Sequence, residues 1–513
     1  VTTIALTVLW AVLLWGALLT ARAAGTARAL DRRRRAVRPP EDGPAPHVVL
    51  LVPALREQDL LEEVVRGALG LDYPRHLLHI VVVTTEREER ERDAALRRLP
   101  ALATALTEDG ARAAERLSGL VPSARAAAVA ARVRAAADPA AALRSEVGAV
   151  PTTREIARHL LPLLAAEHPG AGLHHLHHTA EGAKSSQLVH AVEQLPDLLP
   201  PDAVPAMTYV GLYDADSQPD STTLRHVAQA ARVPSGHPPE LIQQLPLQLR
   251  RPHAARRGRQ DVLLRAHALA DLRRRAGVEA HRIRACARIA GSRLPSGLAA
   301  VAEPVVYGVG AGLFVRHDTL VAIGMYEEPV DDLLIGYKLS SARAGMVVLP
   351  VFNLVDRYPS VRSLGNAYAI VAKGSLAGLR RLLTDPVLRT HQPRNSAVFV
   401  KELLDTLWWF VGPVVVLAGV GVLALAQAYA QLLVWAAAAL GYTVVHTLWC
   451  VRRAESWLAA HQGARERAEL PSPGGLRLVP AFLAQPVLHW LGPLRYATGL
   501  LGGRSAESGK TER

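Results

Sequence analysis

Residues 46–57 read Pro46-His47-Val48-Val49-Leu50-Leu51-Val52-Pro53-Ala54-Leu55-Arg56-Glu57. An unbroken apolar run between two prolines fits a strand buried on both faces, not one that alternates between core and solvent. The run breaks at Pro53 into a loop that carries a carboxylate, Glu57. A helix should follow, because Leu60, Leu61, Val64, Val65 and Ala68 share one face at helical spacing. Ile80 to Val83 is a second buried run, and strand and helix alternate from residue 45 to about residue 400. That order predicts an α/β domain with a mainly parallel sheet and helices on both faces. Residues 86–165, rich in Ala, Arg and Glu, read as helices inserted into this domain. Residues 250–295 read as a second, basic helical insertion.

The 513 residues are half hydrophobic, enough for a sizeable core and more than one structural unit. Lys and Arg number 59 against 46 Asp and Glu, a net charge of +13. Such an excess suits anionic lipid or a phosphorylated substrate. No aromatic residues interleave with the arginines, so a nucleic-acid partner is not expected. Two cysteines, Cys286 and Cys450, make neither a disulfide framework nor a zinc spacing.

Thr2 to Ala21 carry no charge and have the length of a membrane span. Arg22, Arg28, Arg32, Arg33, Arg34, Arg35 and Arg38 follow, which by the positive-inside rule leaves the amino terminus outside and the rest cytosolic. Residues 406–450 contain no Asp, Glu, Lys or Arg, enough for about two spans of about 20 residues each. Their turn falls near Gln427 to Gln431. Trp408, Trp409 and Trp449 mark the interfaces, and Arg452 and Arg453 the return to the cytosol. A further uncharged stretch, 478–494, holds Pro480, Pro486 and Pro493 and reads as an interfacial segment or a third kinked span. The expected map is a spanning helix at 1–22, a basic linker at 23–44 and a catalytic-type domain at 45–355. Amphipathic interface helices would follow at 356–405, a spanning hairpin at 406–451 and a C-terminal segment at 452–513.

Four features sit in order along the soluble part. The first is the Pro53-Ala54-Leu55-Arg56-Glu57 loop. The second is Glu181-Gly182-Ala183-Lys184-Ser185, a glycine turn that sets a lysine at a helix start. The third is Tyr213-Asp214-Ala215-Asp216, where an apolar strand ends in two carboxylates spaced to the same side. The fourth is Val330-Asp331-Asp332-Leu333, two acids opening an amphipathic helix. In an open parallel sheet the loops after the strand carboxyl ends meet at one crevice. Paired carboxylates there suit a hard divalent cation that also touches phosphate. The plainer reading of Asp331 and Asp332 is capping and dipole complementation of their helix. His174, His175, His177 and His178 match no zinc pattern and read as incidental to a strand.

In this order the motifs resemble the membrane-integrated family 2 glycosyltransferases, which have the Rossmann-like GT-A fold. The resemblance spans about residues 45–350. Pro53, Ala54 and Glu57 fill the family's first loop, with Arg56 in place of an Asn. Lys184 matches its lysine element, Asp214 and Asp216 its Asp-x-Asp, and Asp331-Asp332 the acid pair whose second member is the catalytic base. Gly308-Val309-Gly310-Ala311-Gly312 looks like its small-residue strand.

The resemblance implies inverting transfer of one sugar, of hexosyltransferase type, from a nucleotide-diphosphate sugar, with a UDP-sugar favoured. It assigns Asp332 as base with Asp331 as the alternative, and Asp216 with Asp214 as ligands of Mn²⁺ or Mg²⁺. Lys184, Asp214, Pro53, Ala54 and Glu57 would line the donor site. The family's base-contacting Asp after the second strand is missing, and Thr85 or Glu86 stands in its place. Residues 367–374 lack the Gln-x-x-Arg-Trp of processive members, which favours a single transfer to a lipid-linked or membrane-proximal glycan acceptor at a bacterial-type plasma membrane. A non-catalytic scaffold that keeps the fold, or a polysaccharide synthase, are the alternatives.

Overall fold

A computed structural model describes residues 1–36, 45–108, 117, 120–121, 123–232, 237–252, 258–462 and 475–501. Eight strands form one sheet: β1 (His47–Pro53), β2 (Leu78–Thr85), β3 (Gly172–His178), β4 (Thr208–Leu212), β5 (Gln218–Pro219), β6 (Leu241–Arg250), β7 (Leu313–Arg316) and β8 (Met346–Asp356). Their order is β3-β2-β1-β4-β7-β6-β8-β5. Four of the seven pairings are parallel, β1 with β2 and β4, β2 with β3, and β6 with β8. β7 is antiparallel to both its neighbours, as is β5 to β8. The sheet is therefore mixed α/β, with its parallel half where the apolar runs predicted it.

Both faces are covered. Val49 and Leu51 of β1 join one apolar core with Val81, Val83, Val210 and Leu212. Val48, Leu50 and Val52 join the other with Ile80, Val82 and Tyr209. This is the alternation a pleated strand imposes, with apolar residues on both sides. β2 and β3 lie on one side of β1 and β4 on the other, so strand order reverses between β1 and β4. The first residue beyond β4 is tied to β1 there, Tyr213 N–H donating to Leu51 C=O at 3.0 Å, and the first beyond β1 is tied to β2, Ala54 N–H donating to Val83 C=O at 2.8 Å.

The first insertion is smaller than expected. Helices Glu86–Arg97, Leu99–Glu108, Ser123–Ala135 and Pro139–Gly148 share a small core of their own. Helix Thr153–Glu167, opened by a Thr152/Glu155 capping box, instead packs Ala157, Leu161 and Leu164 onto the sheet. In the second, Arg259–Arg274, a π-helical turn Arg275–Ala280 and His281–Ala290 run on as one rod. Asp271 and Glu279 flank Arg275 inside it, at 2.8 and 2.9 Å.

Three helices are long and apolar enough to cross a membrane: Thr2–Arg35, Arg394–Leu425 and Tyr429–Ala460. The break between the last two contains Gln427 at φ 56°, within the expected turn. Two boundaries need correction. Residues 23–35 are not linker: the first helix runs on through them and buries Ala23, Ala27 and Leu30 in the sheet's core. Arg38 and the rest of that segment, 37–44, lie outside the described residues. The interface helices also end earlier than residue 405. Val361–Thr384 is the amphipathic one, whereas Arg394 already begins the long apolar helix. Residues 485–501 form a helix laid on Val361–Thr384, where Gly492 backs onto Tyr368 so closely that a Cβ would reach 2.4 Å.

Candidate active site

The loop after β1 is built around a residue the sequence did not single out. Glu88, buried in the first turn of helix Glu86–Arg97, accepts from Arg56 N–H at 3.0 Å, Gln58 Nε2 at 2.9 Å and Thr153 N–H at 2.9 Å. Arg56 sits at φ 58°, a left-handed conformation uncommon outside glycine, and the Glu88 bond stabilises it. Glu57 is buried beside it, its N–H donating to Thr153 Oγ1 at 3.0 Å and its C=O accepting from Leu61 N–H at 2.9 Å. Pro53 closes β1, and Ala54 is fully enclosed.

At the end of β2, buried Thr85 caps the next helix by accepting from Arg87 N–H at 3.3 Å. Glu86 turns toward the β3 edge, where its Oε2 lies 2.9 Å from His177 Nε2. That hydrogen bond holds the Glu86 carboxyl below the usual carboxylate range. Thr84 Oγ1 lies 2.9 Å from His175 Nε2 and 3.0 Å from His177 Nδ1, so these histidines belong to one polar strand edge. Glu86, Glu89 and His177 bring three metal-ligating atoms within 4.8 Å of one another. Arg154 stands 3.8 Å from each glutamate, so this cluster already has its cation.

The third and second loops meet directly. Lys184 opens helix Lys184–Glu193, and its Nζ donates to Asp214 Oδ1 at 2.6 Å. Asp214 C=O accepts from Ser217 N–H at 2.9 Å, closing the turn after β4. Asp216 is buried, and its carbonyl accepts from Arg250 Nη1 at 2.8 Å. Arg250, fully enclosed, also binds Glu63 at 2.6 Å and Asp356 at 3.4 Å, fastening the Asp-x-Asp turn to β6 and β8. Nothing in the sequence around Arg250 pointed to this.

Asp331 and Asp332 form the first turn of helix Asp331–Ala342. The helix presses on Gly308-Val309-Gly310: a Cβ on Gly308 would lie 2.1 Å from Asp332 carbonyl oxygen, and one on Gly336 2.4 Å from Gly308 N. That contact brings Gly310 N–H to Asp332 Oδ2 at 2.6 Å, while Leu333 N–H donates to Oδ1 at 2.8 Å. Burial and the neighbouring Asp331 charge nonetheless raise the Asp332 carboxyl to about 7, against the opposing pull of Lys184 and of these two bonds. Asp331 is raised too, by burial and with Asp214 adding to it, and its Oδ2 is enclosed without a hydrogen-bond partner. Burial lowers the Lys184 ammonium, but Asp214, Asp331 and Asp332 together outweigh it and leave the group raised.

Lys184, Asp214, Asp331 and Asp332 thus form one charge cluster, three carboxylates around one ammonium. Glu86 stands outside it, turned to β3, and Asp216 is buried with its backbone carbonyl held by Arg250. A fifth residue joins the two halves: Glu328 Oε1 accepts from Ala183 N–H at 3.3 Å and lies 3.5 Å from Ser185 Oγ. Its loop is tied back by Lys338, which donates to Ile323 C=O at 2.6 Å and pairs with Glu327. The three acids of the cluster offer hard oxygens and outnumber its one base, and one enclosed oxygen, Asp331 Oδ2, is unsatisfied. These carboxylate oxygens are the donor type that Mn²⁺ or Mg²⁺ prefers, although among the described residues the one group of three ligand atoms within 4.8 Å is Glu86, Glu89 and His177.

No protein-family model matches the chain, and no curated protein matches it. Among solved structures, it is similar to the mannosyltransferase PcManGT from Pyrobaculum calidifontis in complex with GDP-Man and Mn²⁺. That similarity has 16% identity over 88% of this chain and 99% of the other, with a TM-score of 0.42. TarS 1-349 from S. aureus in complex with UDP-GlcNAc shares 11% identity over 89% and 92%, with a TM-score of 0.34. The same protein in complex with UDP gives 11%, 89%, 92% and 0.36. Scores this low carry no argument about the site, which rests on this chain's own residues.

Proposed function

We propose that the chain is an inverting, metal-dependent glycosyltransferase that moves one sugar from a nucleotide-diphosphate sugar, UDP-linked by preference, to a lipid-linked or membrane-proximal acceptor. One observation carries the reading: a carboxyl raised to about 7, Asp332, lies in one electrostatic cluster with Lys184 and Asp214 at the crevice where strand order reverses. A general base works best with a pKa near the working pH. Asp332 takes the proton of the acceptor hydroxyl, whose oxygen bonds to the anomeric carbon on the face opposite the leaving group. The bond from that carbon to the diphosphate oxygen breaks, and the nucleoside diphosphate departs with its electron pair. Lys184 places a positive charge beside the departing phosphates. Gly310 N–H and Leu333 N–H fix which way the base points. A divalent ion held by Asp214 and Asp216 would supply further positive charge for the leaving diphosphate.

The long apolar helices and the arginines in the second half of the first support a plasma-membrane protein with this crevice on the cytosolic side. The deciding assay is nucleoside-diphosphate release by the purified chain with a panel of sugar nucleotides, with Mn²⁺ or with a chelator. Turnover of one donor, lost on chelation and in Asp332→Asn, is the expected result. If no donor is turned over and Asp216→Ala binds UDP as tightly as wild type, the scaffold reading replaces this one.

A further inference from the structure

Exposed large apolar side chains on the sheet domain are mostly solitary, as Leu163, Val204 and Val321 are. The exception is the tip of the second insertion. Residues 291–298 are all exposed, and in the short helix Ser296–Ala302 the outward Leu298 and Val301 are 61% and 62% exposed, with Leu294 just before them. The inward Ala299 and Ala300 are buried.

This helix is clamped to the long helix Arg394–Leu425 by cations at its carboxyl end, where free carbonyls and the helix dipole favour positive charge. Arg394 Nη1 donates to Ala300 C=O and, at 3.2 Å, to Glu303 C=O. Lys401 Nζ donates to the carbonyls of Val301 and Glu303. The clamp lays the short helix against the first turns of the long one, where Val400 and Leu404 are themselves exposed. From Val400 the stripe continues without a break: Leu404, Leu407, Val411 and Val414 recur at spacings of four and three and lie outward on the same helix. Arg288 and Arg293 are exposed at the near side of the tip.

We propose that residues 294–301 form a membrane-seated tip, with Leu294, Leu298 and Val301 inserted among the acyl chains at the cytosolic interface and Arg288 and Arg293 on anionic headgroups. The occupant of this face is the bilayer, because the face is continuous with a helix surface already apolar over the length of a span, and its rim charge complements anionic lipid. The proposal rests on reading Arg394–Leu425 as a span. It bears on the site because the chain leads from this tip directly to Gly310, whose N–H holds Asp332, with Val306 N–H pinned to Ser340 Oγ at 2.8 Å on the way.

The test uses the full chain with Cys286→Ala and Cys450→Ala, reconstituted in phosphatidylcholine and phosphatidylglycerol vesicles. An environment-sensitive fluorophore is placed in turn at Leu298→Cys, Val414→Cys and Val204→Cys. With nitroxide-bearing acyl chains, the Leu298 and Val414 probes should each lose about half their emission and the Val204 probe almost none. Quenching at Val414 with none at Leu298 overturns the tip while leaving the span intact. A blue-shifted Leu298 probe that nitroxide lipid does not quench means protein covers this face, and also overturns it. If Val414 is unquenched as well, the spanning reading fails and the proposal falls with it.

Discussion

Gly310 N–H meets Asp332 Oδ2 at 2.6 Å, and a Cβ on that glycine would stand 3.2 Å from the same oxygen. A side chain on the backbone that aims the acid would press on that same carboxylate. The small-residue stretch 308–312, which the sequence reads as a strand, is instead the loop that enters β7, and it and the acid pair are one device although 22 positions separate Gly310 from Asp332.

Asp332→Asn should lower turnover by about 10²–10⁴-fold, the usual worth of a positioned base. In the wild type, kcat/KM should rise with pH through about 7, because the base must lose its proton. The stability consequence has the opposite sense. With its carboxyl raised, the folded state holds a proton that the unfolded chain has released, so stability falls as pH climbs from about 4 to about 7. Thermal melts across that window should show this decline in the wild type and a weaker one in Asp332→Asn.

Lys184→Met removes the cation that opposes the rise of both Asp331 and Asp332. The acid limb of the rate profile should shift to higher pH, and the KM for the donor should rise about tenfold, the worth of one charged contact. An unmoved acid limb would mean that Lys184 and Asp332 do not share a site.

The two glycines should separate stability from rate. Gly308→Ala drives a methyl into backbone and should cost at least about 1–3 kcal/mol, read as a lowered Tm. Gly310→Ala meets only a movable carboxylate. It should leave Tm nearly unchanged and lower kcat about tenfold by displacing the base.

Glu88→Ala strands three donors on two segments and should cost about 1–3 kcal/mol or more, with a raised KM for the donor. Glu91→Ala, which removes more exposed pairs to Arg56 and Arg87, should fall within about 1 kcal/mol of wild type.

What the sequence showed was what local pattern encodes. The apolar runs at His47 and Ile80 gave the strands, and the order of loops gave the clustering of Lys184, Asp214, Asp331 and Asp332. What it hid depends on partners distant in the chain. Glu88 lies in a run of glutamates and arginines and differs from its neighbours only by facing inward. Arg250 reaches Glu63 and Asp356, and Glu328 reaches Ala183 and Ser185, all more than a hundred positions away. The antiparallel insertion of β7 leaves no mark on alternation. The continuation of the first helix did leave a signal, since Ala23, Ala27 and Leu30 fall on one helical face. The surrounding arginines read as a topology anchor and masked it.

That helix fixes more than an anchor would. Arg33 Nη1 reaches Val348 C=O at 3.1 Å, Asp31 pairs with Arg453 at 2.5 Å, and the π-helical turn is seated where a Cβ on Gly277 would come 2.7 Å from Leu19 carbonyl oxygen. Thirty-four residues of helix make a strut about 51 Å long. A domain on a loose tether would sample a hemisphere above the membrane and dilute its own crevice. Under the proposed membrane reading, a domain bolted to such a strut would hold the crevice at one height and one tilt, and an acceptor anchored in the bilayer would find it by two-dimensional diffusion alone. Under that proposal reach becomes a selectivity filter: an acceptor whose hydroxyl sits at another depth would be excluded by geometry before any side chain reads it.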